Sequence, residues 1–147
     1  MKKFIFVLSM FFIFTGCGSK SVMTCSYKST ENNAKMDLSY TVKYKGENVI
    51  SVKSVEKVES DDSDIIHDYK IMVEDMYAPY SDLSNYTYNV VVEGNTLTST
   101  TIINYDKINL DDIIMIDPNI QQLIKGNKIN IDLMKISYEN LGLTCKK

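Results

Sequence analysis

The stretch from residue 36 to residue 45 constrains the fold more than any other part of this 147-residue chain. Apolar and polar side chains alternate strictly along it. The apolar set is Met36, Leu38, Tyr40, Val42 and Tyr44, and the polar set is Asp37, Ser39, Thr41, Lys43 and Lys45. A period of two places the two sets on opposite faces of a β-strand. One face therefore meets a core and the other meets water, as in an antiparallel sheet that is covered on one side.

Two neighbouring segments complete a predicted three-stranded meander. Residues 24–30 and 49–59 are rich in strand-forming side chains, and short polar turns join them to the central strand. The alternation of the third strand slips, because Ile50 and Val52 share one phase whereas Val55 takes the other. A β-bulge, or a strand with two partly apolar faces, would explain this slip.

The period then changes to that of a helix. Residues 60–64 (SDDSD) supply an N-cap and acidic side chains for a helix start, where carboxylates favour the positive end of the dipole. The expected apolar stripe is Ile65, Tyr69, Met72, Val73, Met76 and Tyr80. Ala78-Pro79 should end or kink the helix. The acidic cluster also suggests a calcium loop, but the loop glycine and the distal glutamate of such a site are missing, so the helix start is favoured.

A β-hairpin and a C-terminal helix follow. Residues 86–93 and 96–105 flank the tight turn Gly94-Asn95, and residues 132–141 have helical spacing with Gly142 at the end. The inward side chains of the second hairpin strand are predicted to be Leu97, Ser99, Thr101, Ile103 and Tyr105.

The connecting segment, residues 106–131, leaves the topology open. Asn109 or Asp111 can cap one helical turn and Pro118 can open another, and a short strand fits residues 128–131. Together the elements predict a single α+β domain over residues 24–147, built on an antiparallel sheet.

The N-terminus has the organisation of a bacterial lipoprotein signal peptide. Two lysines precede an apolar run over residues 4–14, which is too short to span a bilayer, and Gly16 precedes Cys17. We expect residues 1–16 to be removed and Cys17 to carry the lipid, with residues 17–23 as a short tether. The domain would then lie on the extracytoplasmic face of the cell membrane. An ordinary secreted protein is the alternative.

Two further cysteines are expected to form a disulfide bond. In an exported protein the simplest fate of Cys25 and Cys145 is to pair, which would close nearly the whole domain into one loop. Free or catalytic thiols are the alternative, but a thiol nucleophile needs a base nearby. His67 is the only histidine and belongs to no recognisable motif, so we expect it to be a surface residue.

The charged residues of the chain limit the kinds of partner that it is expected to bind. All 16 basic residues are lysines, and the formal charge is −3. Without the guanidinium fork of arginine, nucleic-acid binding is not expected. An anionic membrane repels a domain with a net negative charge. On the basis of net charge, we therefore expect the lipid on Cys17 to be the only attachment to the membrane. We expect a monomer.

Ten tyrosines are the one compositional indication of binding. Four of them, Tyr77, Tyr80, Tyr86 and Tyr88, lie within twelve residues, and exposed tyrosines are common at interfaces. The alternative, which we favour, is that they belong to the core of a small sheet.

Three short segments resemble the YehR-like family of small bacterial lipoproteins. They are residues 40–49 (YTVKYKGENV), residues 105–111 (YDKINLD) and the C-terminal NLGLTCK. The resemblance implies an α+β fold of unassigned function, and it supplies no catalytic residues.

The sequence therefore predicts a membrane-anchored, non-catalytic binding or structural module without a cofactor or a metal. One alternative is a hydrolase that acts on envelope polymers through paired carboxylates, although we expect the acids of the strands to lie on solvent-facing positions or in turns. Another is an accessory ligand-binding protein of a transporter.

Overall fold

The structure, a computed structural model, describes residues 20–147. Eight strands and three α-helices follow one another along this part of the chain. In order they are β1 (Ser21–Glu31), β2 (Ala34–Lys45), β3 (Asn48–Ser60), α1 (Ser63–Tyr77), β4 (Tyr86–Glu93), β5 (Thr96–Ile103), α2 (Leu110–Ile116), β6 (Ile124–Lys125), β7 (Lys128–Ile129), α3 (Ile131–Asn140) and β8 (Thr144–Lys146). Two 3₁₀ turns, Ala78–Tyr80 and Pro118–Leu123, join helices to their neighbours.

Six of the strands form one antiparallel sheet in the order β4-β5-β3-β2-β1-β8. All three helices pack on the same face of this sheet, and the other face is open to solvent. The predicted α+β architecture of meander, helix, hairpin and C-terminal helix is therefore confirmed. Strand β1 begins at Ser21, three residues earlier than the sequence predicts, because Met23 is an inward-facing residue with no exposed surface.

The third strand has an apolar residue on each face and also a β-bulge: Val55 faces the open side in a regularly paired stretch, which explains the predicted slip, and the bulge lies closer to the start of the strand. Lys43 lies opposite Ser51 whereas Tyr44 lies opposite Val49, so Ile50 is the extra residue. The bulge lets Val49 and Val52 both face the helices although their spacing is odd.

Helix α1 begins as predicted but turns a different side to the sheet. The Asp62 carboxylate accepts a hydrogen bond from the backbone N–H of Asp64 and caps the helix. The side chains that pack inward are Ile66, Tyr69, Val73 and Tyr77, at spacings of three, four and four. The predicted stripe was wrong for Met72 and Met76, which are 47% and 48% exposed. Each precedes an inward-facing residue by one position, which rotates it about 100° around the helix.

The segment after β5 supplies α2 and α3, the other two helices on the covered face of the sheet. Asn109 caps α2 with its side chain, and Pro118 opens the second 3₁₀ turn, both as predicted. Asn130 caps α3 by accepting hydrogen bonds from the backbone N–H groups of Asp132 and Leu133. The chain then returns through Gly142, whose φ of 89° suits glycine, to place β8 beside β1.

The buried apolar residues form two clusters on the helical side of the sheet. The larger cluster lies beneath α2 and α3 and contains Met23, Val42, Val52, Ile113 and Met134 among others. The smaller cluster lies beneath α1 and contains Ala34, Val58, Ile66, Val73 and Leu97. Tyr77, at the end of α1, packs against both.

Candidate functional site: a polar seam between the two core clusters

A band of polar side chains separates the two clusters on the covered face of the sheet. Along β3, Val52 belongs to the larger cluster and Val58 to the smaller one, and the two inward-facing residues between them are Ser54 and Glu56. Their cross-strand neighbours on β5 are Thr101 and Ser99. We call the set Ser54, Glu56, Ser99 and Thr101, together with the hydroxyl groups of Tyr40 and Tyr77, the polar seam.

The hydroxyl groups of the polar seam are satisfied across the sheet. Ser54 and Thr101 are joined by a hydrogen bond between their side-chain oxygens. The Ser99 hydroxyl, which is almost fully buried, donates to one carboxylate oxygen of Glu56 at 3.3 Å. Within residues 20–147, every buried side-chain nitrogen or oxygen atom has a hydrogen-bond partner. Ser54, Thr101, Ser99 and Glu56 therefore form a cross-strand polar network between the two apolar clusters.

Burial makes the carboxyl group of Glu56 harder to ionise. Desolvation raises the pKa of its carboxyl group, because the charged form loses water, and the hydrogen bond from Ser99 opposes this effect only in part. The hydroxyl groups of Tyr40 and Tyr77 are buried beside Glu56 and are affected in the same direction. Burial raises the pKa of Tyr40 and of Tyr77, and the nearby Glu56 carboxylate raises both further. Both phenols therefore remain protonated at neutral pH and can donate hydrogen bonds.

The tyrosines around the polar seam pack in pairs. The ring centroids of Tyr40 and Tyr138 are 4.7 Å apart, and those of Tyr80 and Tyr86 are 5.2 Å apart in a stacked arrangement. Tyr86 is only 7% exposed. Burial raises the pKa of Tyr86 and of Tyr138 well above the usual range of a phenol. The interpretation that the four clustered tyrosines belong to the core is confirmed for Tyr77, Tyr80 and Tyr86, and it was wrong for Tyr88, which is 37% exposed and belongs to neither cluster.

The chemical groups of the polar seam are hydrogen-bond donors and acceptors. Glycoside hydrolysis uses two carboxyl groups about 5 to 10 Å apart, one as acid and one as base or nucleophile. In the polar seam the single carboxyl group of Glu56 is accompanied by hydroxyl groups. A carboxyl group with a raised pKa is a common functional-site feature, but polar networks that serve only structure perturb pKa values as well.

The residues that the sequence singled out lie in separate places. Cys17, the predicted lipid site, is outside the described residues. Cys25 and Cys145 lie directly opposite each other on β1 and β8 and are joined by a disulfide bond. His67 is exposed on α1, and Asp62 serves as the cap of that helix.

Sequence reasoning missed Glu56, although a signal for it exists. Glu56 lies two residues before Val58 and four after Val52, so it has the inward phase of β3. The acids of the strands were expected to face water, and for Glu56 that was wrong. Within residues 20–147, no group of three or more histidine, cysteine or acidic side chains is arranged to hold a metal ion. No helix of this part of the chain is both long and apolar enough to cross a membrane.

No family model matches the sequence, and no curated protein matches it. Two solved structures have a similar fold. The NMR structure of the E. coli YehR protein superposes with a TM-score of 0.58 at 16% identity, over 87% of this chain and 93% of that one. The NMR structure of a Streptococcus pneumoniae TIGR4 protein superposes with a TM-score of 0.55 at 14% identity, over 87% and 86% of the two chains. At these identities the likeness concerns the fold, which is YehR-like.

Proposed function

We propose that this chain is a lipid-anchored bacterial envelope protein of the YehR-like family, and that its domain is a non-catalytic binding or structural module. One observation carries the proposal. A lipoprotein-type signal segment ends at Cys17, and a strand of the folded domain begins four residues later at Ser21. Such a segment targets a chain for export, and lipid modification of the cysteine would keep the exported domain at the membrane surface.

The disulfide bond supports an extracytoplasmic location. Cys25 and Cys145 are the two cysteines that remain once Cys17 is modified, and they are paired. Disulfide bonds persist in oxidising compartments and are rare in the cytosol of most bacteria. The YehR-like fold and the three resembling segments support membership of that family of small lipoproteins.

Membrane fractionation of the full chain tests the anchor. We expect the wild-type protein to be processed and recovered with the membranes. Cys17→Ala should be released from the membranes or should keep its signal segment, because it lacks the thiol that accepts the lipid. Ser19→Ala is the matched control, since it changes the same tether without touching the thiol, and it should behave as wild type. A Cys17→Ala protein of mature size in the membrane fraction would contradict the proposal.

A glycan-release assay tests the proposal that the domain is not a catalyst. Purified wild-type domain and Glu56→Gln are incubated with cell-wall glycan, and the release of reducing sugar ends is measured. We expect no release with either protein. Release by the wild type that is lost in Glu56→Gln would show instead that the polar seam hydrolyses glycans.

A further inference from the structure

The charges of the described residues are divided between the two layers of the fold. The segments that form the helical layer, residues 61–85 and 104–143, contain 13 acidic residues and five lysines, a formal charge of −8. The open face of the sheet has the opposite balance. Its seven lysines are Lys28, Lys35, Lys43, Lys45, Lys53, Lys57 and Lys146, and its three acids are Asp37, Glu59 and Glu93. The net charge of the chain therefore does not describe the charge of this face.

The excess of positive charge lies at one end of the open face. Lys53, Thr41, Thr24 and Lys146 form one row across four strands, and Lys43 is next to this row on β2. Three strand spacings of about 4.8 Å separate Lys53 from Lys146 by roughly 14 Å. We call Lys43, Lys53 and Lys146 the basic end of the sheet.

The lysines of the basic end are free of carboxylates in the described part of the chain. None of the three has a carboxylate within 4 Å, since the ion pairs of residues 20–147 involve other lysines. At the opposite end of the same face two of the three lysines are paired, because Lys28 is 2.6 Å from Asp37 and Lys35 is 3.0 Å from Glu59. All three lysines of the basic end are exposed.

The chain enters the domain beside this basic end. Lys43 lies opposite Val22, the second residue of β1, and Lys146 lies opposite Thr24. Val22, on the same face, is 47% exposed. Ser21 comes four positions after Cys17, and even a fully extended chain spans only about 14 Å over four steps. A lipid on Cys17 would therefore hold the basic end, more than the other end of the sheet, near the bilayer.

We propose that the basic end of the sheet, Lys43, Lys53 and Lys146, binds the anionic headgroups of the membrane that anchors the chain. This inference rests on the proposed lipid anchor for its geometry, although the binding itself requires only the domain. Flexible lysine side chains suit loose contact with phosphate headgroups, which demands no bidentate geometry. The acidic helical layer then faces away from the bilayer, where repulsion from the lipid is screened over about 8 Å at physiological salt. Net charge predicts repulsion from such a surface, whereas the separated charges allow attraction through one face.

Vesicle sedimentation of the domain without its lipid tests the proposal. Residues 20–147 contain every described strand and helix and both core clusters, so they are used as the folded unit. Binding is measured at low salt to vesicles of phosphatidylcholine alone and to vesicles with 40 mol% phosphatidylglycerol. We expect binding to the anionic vesicles only, and its loss in 0.5 M salt.

Paired variants locate the contact. A lysine near an anionic surface strengthens binding about fivefold, so Lys43→Gln with Lys53→Gln should weaken binding on the order of tenfold or more. Lys70→Gln with Lys135→Gln is the matched control, because it removes the same charge from α1 and α3. The control should stay within about twofold of wild type, and thermal melts should show that both variants are folded.

Three results would overturn the proposal. They are equal weakening by the two double variants, equal binding of the wild type to both kinds of vesicle, and binding to soluble polyglycerol phosphate without binding to vesicles. The last result would assign the basic end to an anionic wall polymer. None of the three bears on the lipid anchor, which Cys17→Ala tests separately.

Discussion

Loss of the Cys25–Cys145 bond should cost this domain a large part of its stability. The two cysteines are 120 residues apart in sequence, so the bond restricts almost the whole unfolded domain. The chain-entropy model gives about 5 kcal/mol for a loop of this length. A small domain is stable by only about 5 to 15 kcal/mol in total. For a chain of this size, 5 kcal/mol corresponds to a fall in melting temperature of roughly 15 °C.

Two perturbations separate the cross-link from the packing of its sulfur atoms. Reduction with dithiothreitol keeps both sulfurs and removes only the bond, so urea unfolding of oxidised and reduced protein measures the cross-link. Cys25→Ala with Cys145→Ala also removes sulfur from the core, and Cys25 is only 1% exposed. We expect this double variant to be about 1 kcal/mol less stable than the reduced protein. A reduced protein within 1 kcal/mol of the oxidised one would refute the reasoning.

Three further substitutions test the core, a helix cap and the polar seam by urea unfolding. Leu97→Ala should lower the free energy of unfolding by about 2 to 5 kcal/mol, because Leu97 has no exposed surface. Leu141→Ala is the control, since that position is 72% exposed, and it should lower the free energy of unfolding by less than about 1 kcal/mol. Equal losses would contradict the assigned core. Asn130→Ala should cost about 1 to 2 kcal/mol, since it removes two capping hydrogen bonds from α3, and an unchanged midpoint would contradict that role. Glu56→Gln should stabilise the domain by about 1 kcal/mol at pH 7, because the amide avoids the desolvation of a carboxylate. Burial raises the pKa of Glu56, so the stability difference between Glu56→Gln and wild type should depend on pH. It should vanish below about pH 4, where the carboxyl group is protonated in both states, and grow as pH rises through and above the usual glutamate range. A difference that does not change with pH would contradict this prediction.

Local patterns were sufficient to predict most of the elements. The alternation over residues 36–45 predicted β2 because one face of that strand is covered and the other is wet. The change of phase at Val55 reflects an apolar residue on the open face, whereas the bulge lies at Ile50, and Asn109 and Pro118 marked the starts of short helical turns. These features depend on neighbours a few residues away, which a single sequence displays.

Features set by distant contacts were harder to predict. Met72 and Met76 have the apolar character of core residues, but the orientation of α1 is fixed by contacts with strands β3, β4 and β5. Glu56 was assigned to the solvent because of its residue type, whereas its phase along β3 places it inside. The order of strands in the sheet, which brings the hairpin β4-β5 next to β3, follows from long-range packing.

The polar seam and the basic end of the sheet could not be predicted from the sequence for the same reason. Each is assembled from residues on several strands that are far apart along the chain. Ser99 meets Glu56 across 43 residues, and Lys146 lies in one row with Lys53 only because β8 returns to the edge of the sheet. The number of lysines is visible in the sequence, but their separation from the acids depends on the fold.

The most direct test of the lipid anchor is the mass of the N-terminal peptide of the chain isolated from its own membranes. The account predicts a mature protein that begins at Cys17, with residues 1–16 removed and the cysteine carrying a lipid. A mature protein with an unmodified Cys17, or one that begins at a later residue, would contradict it.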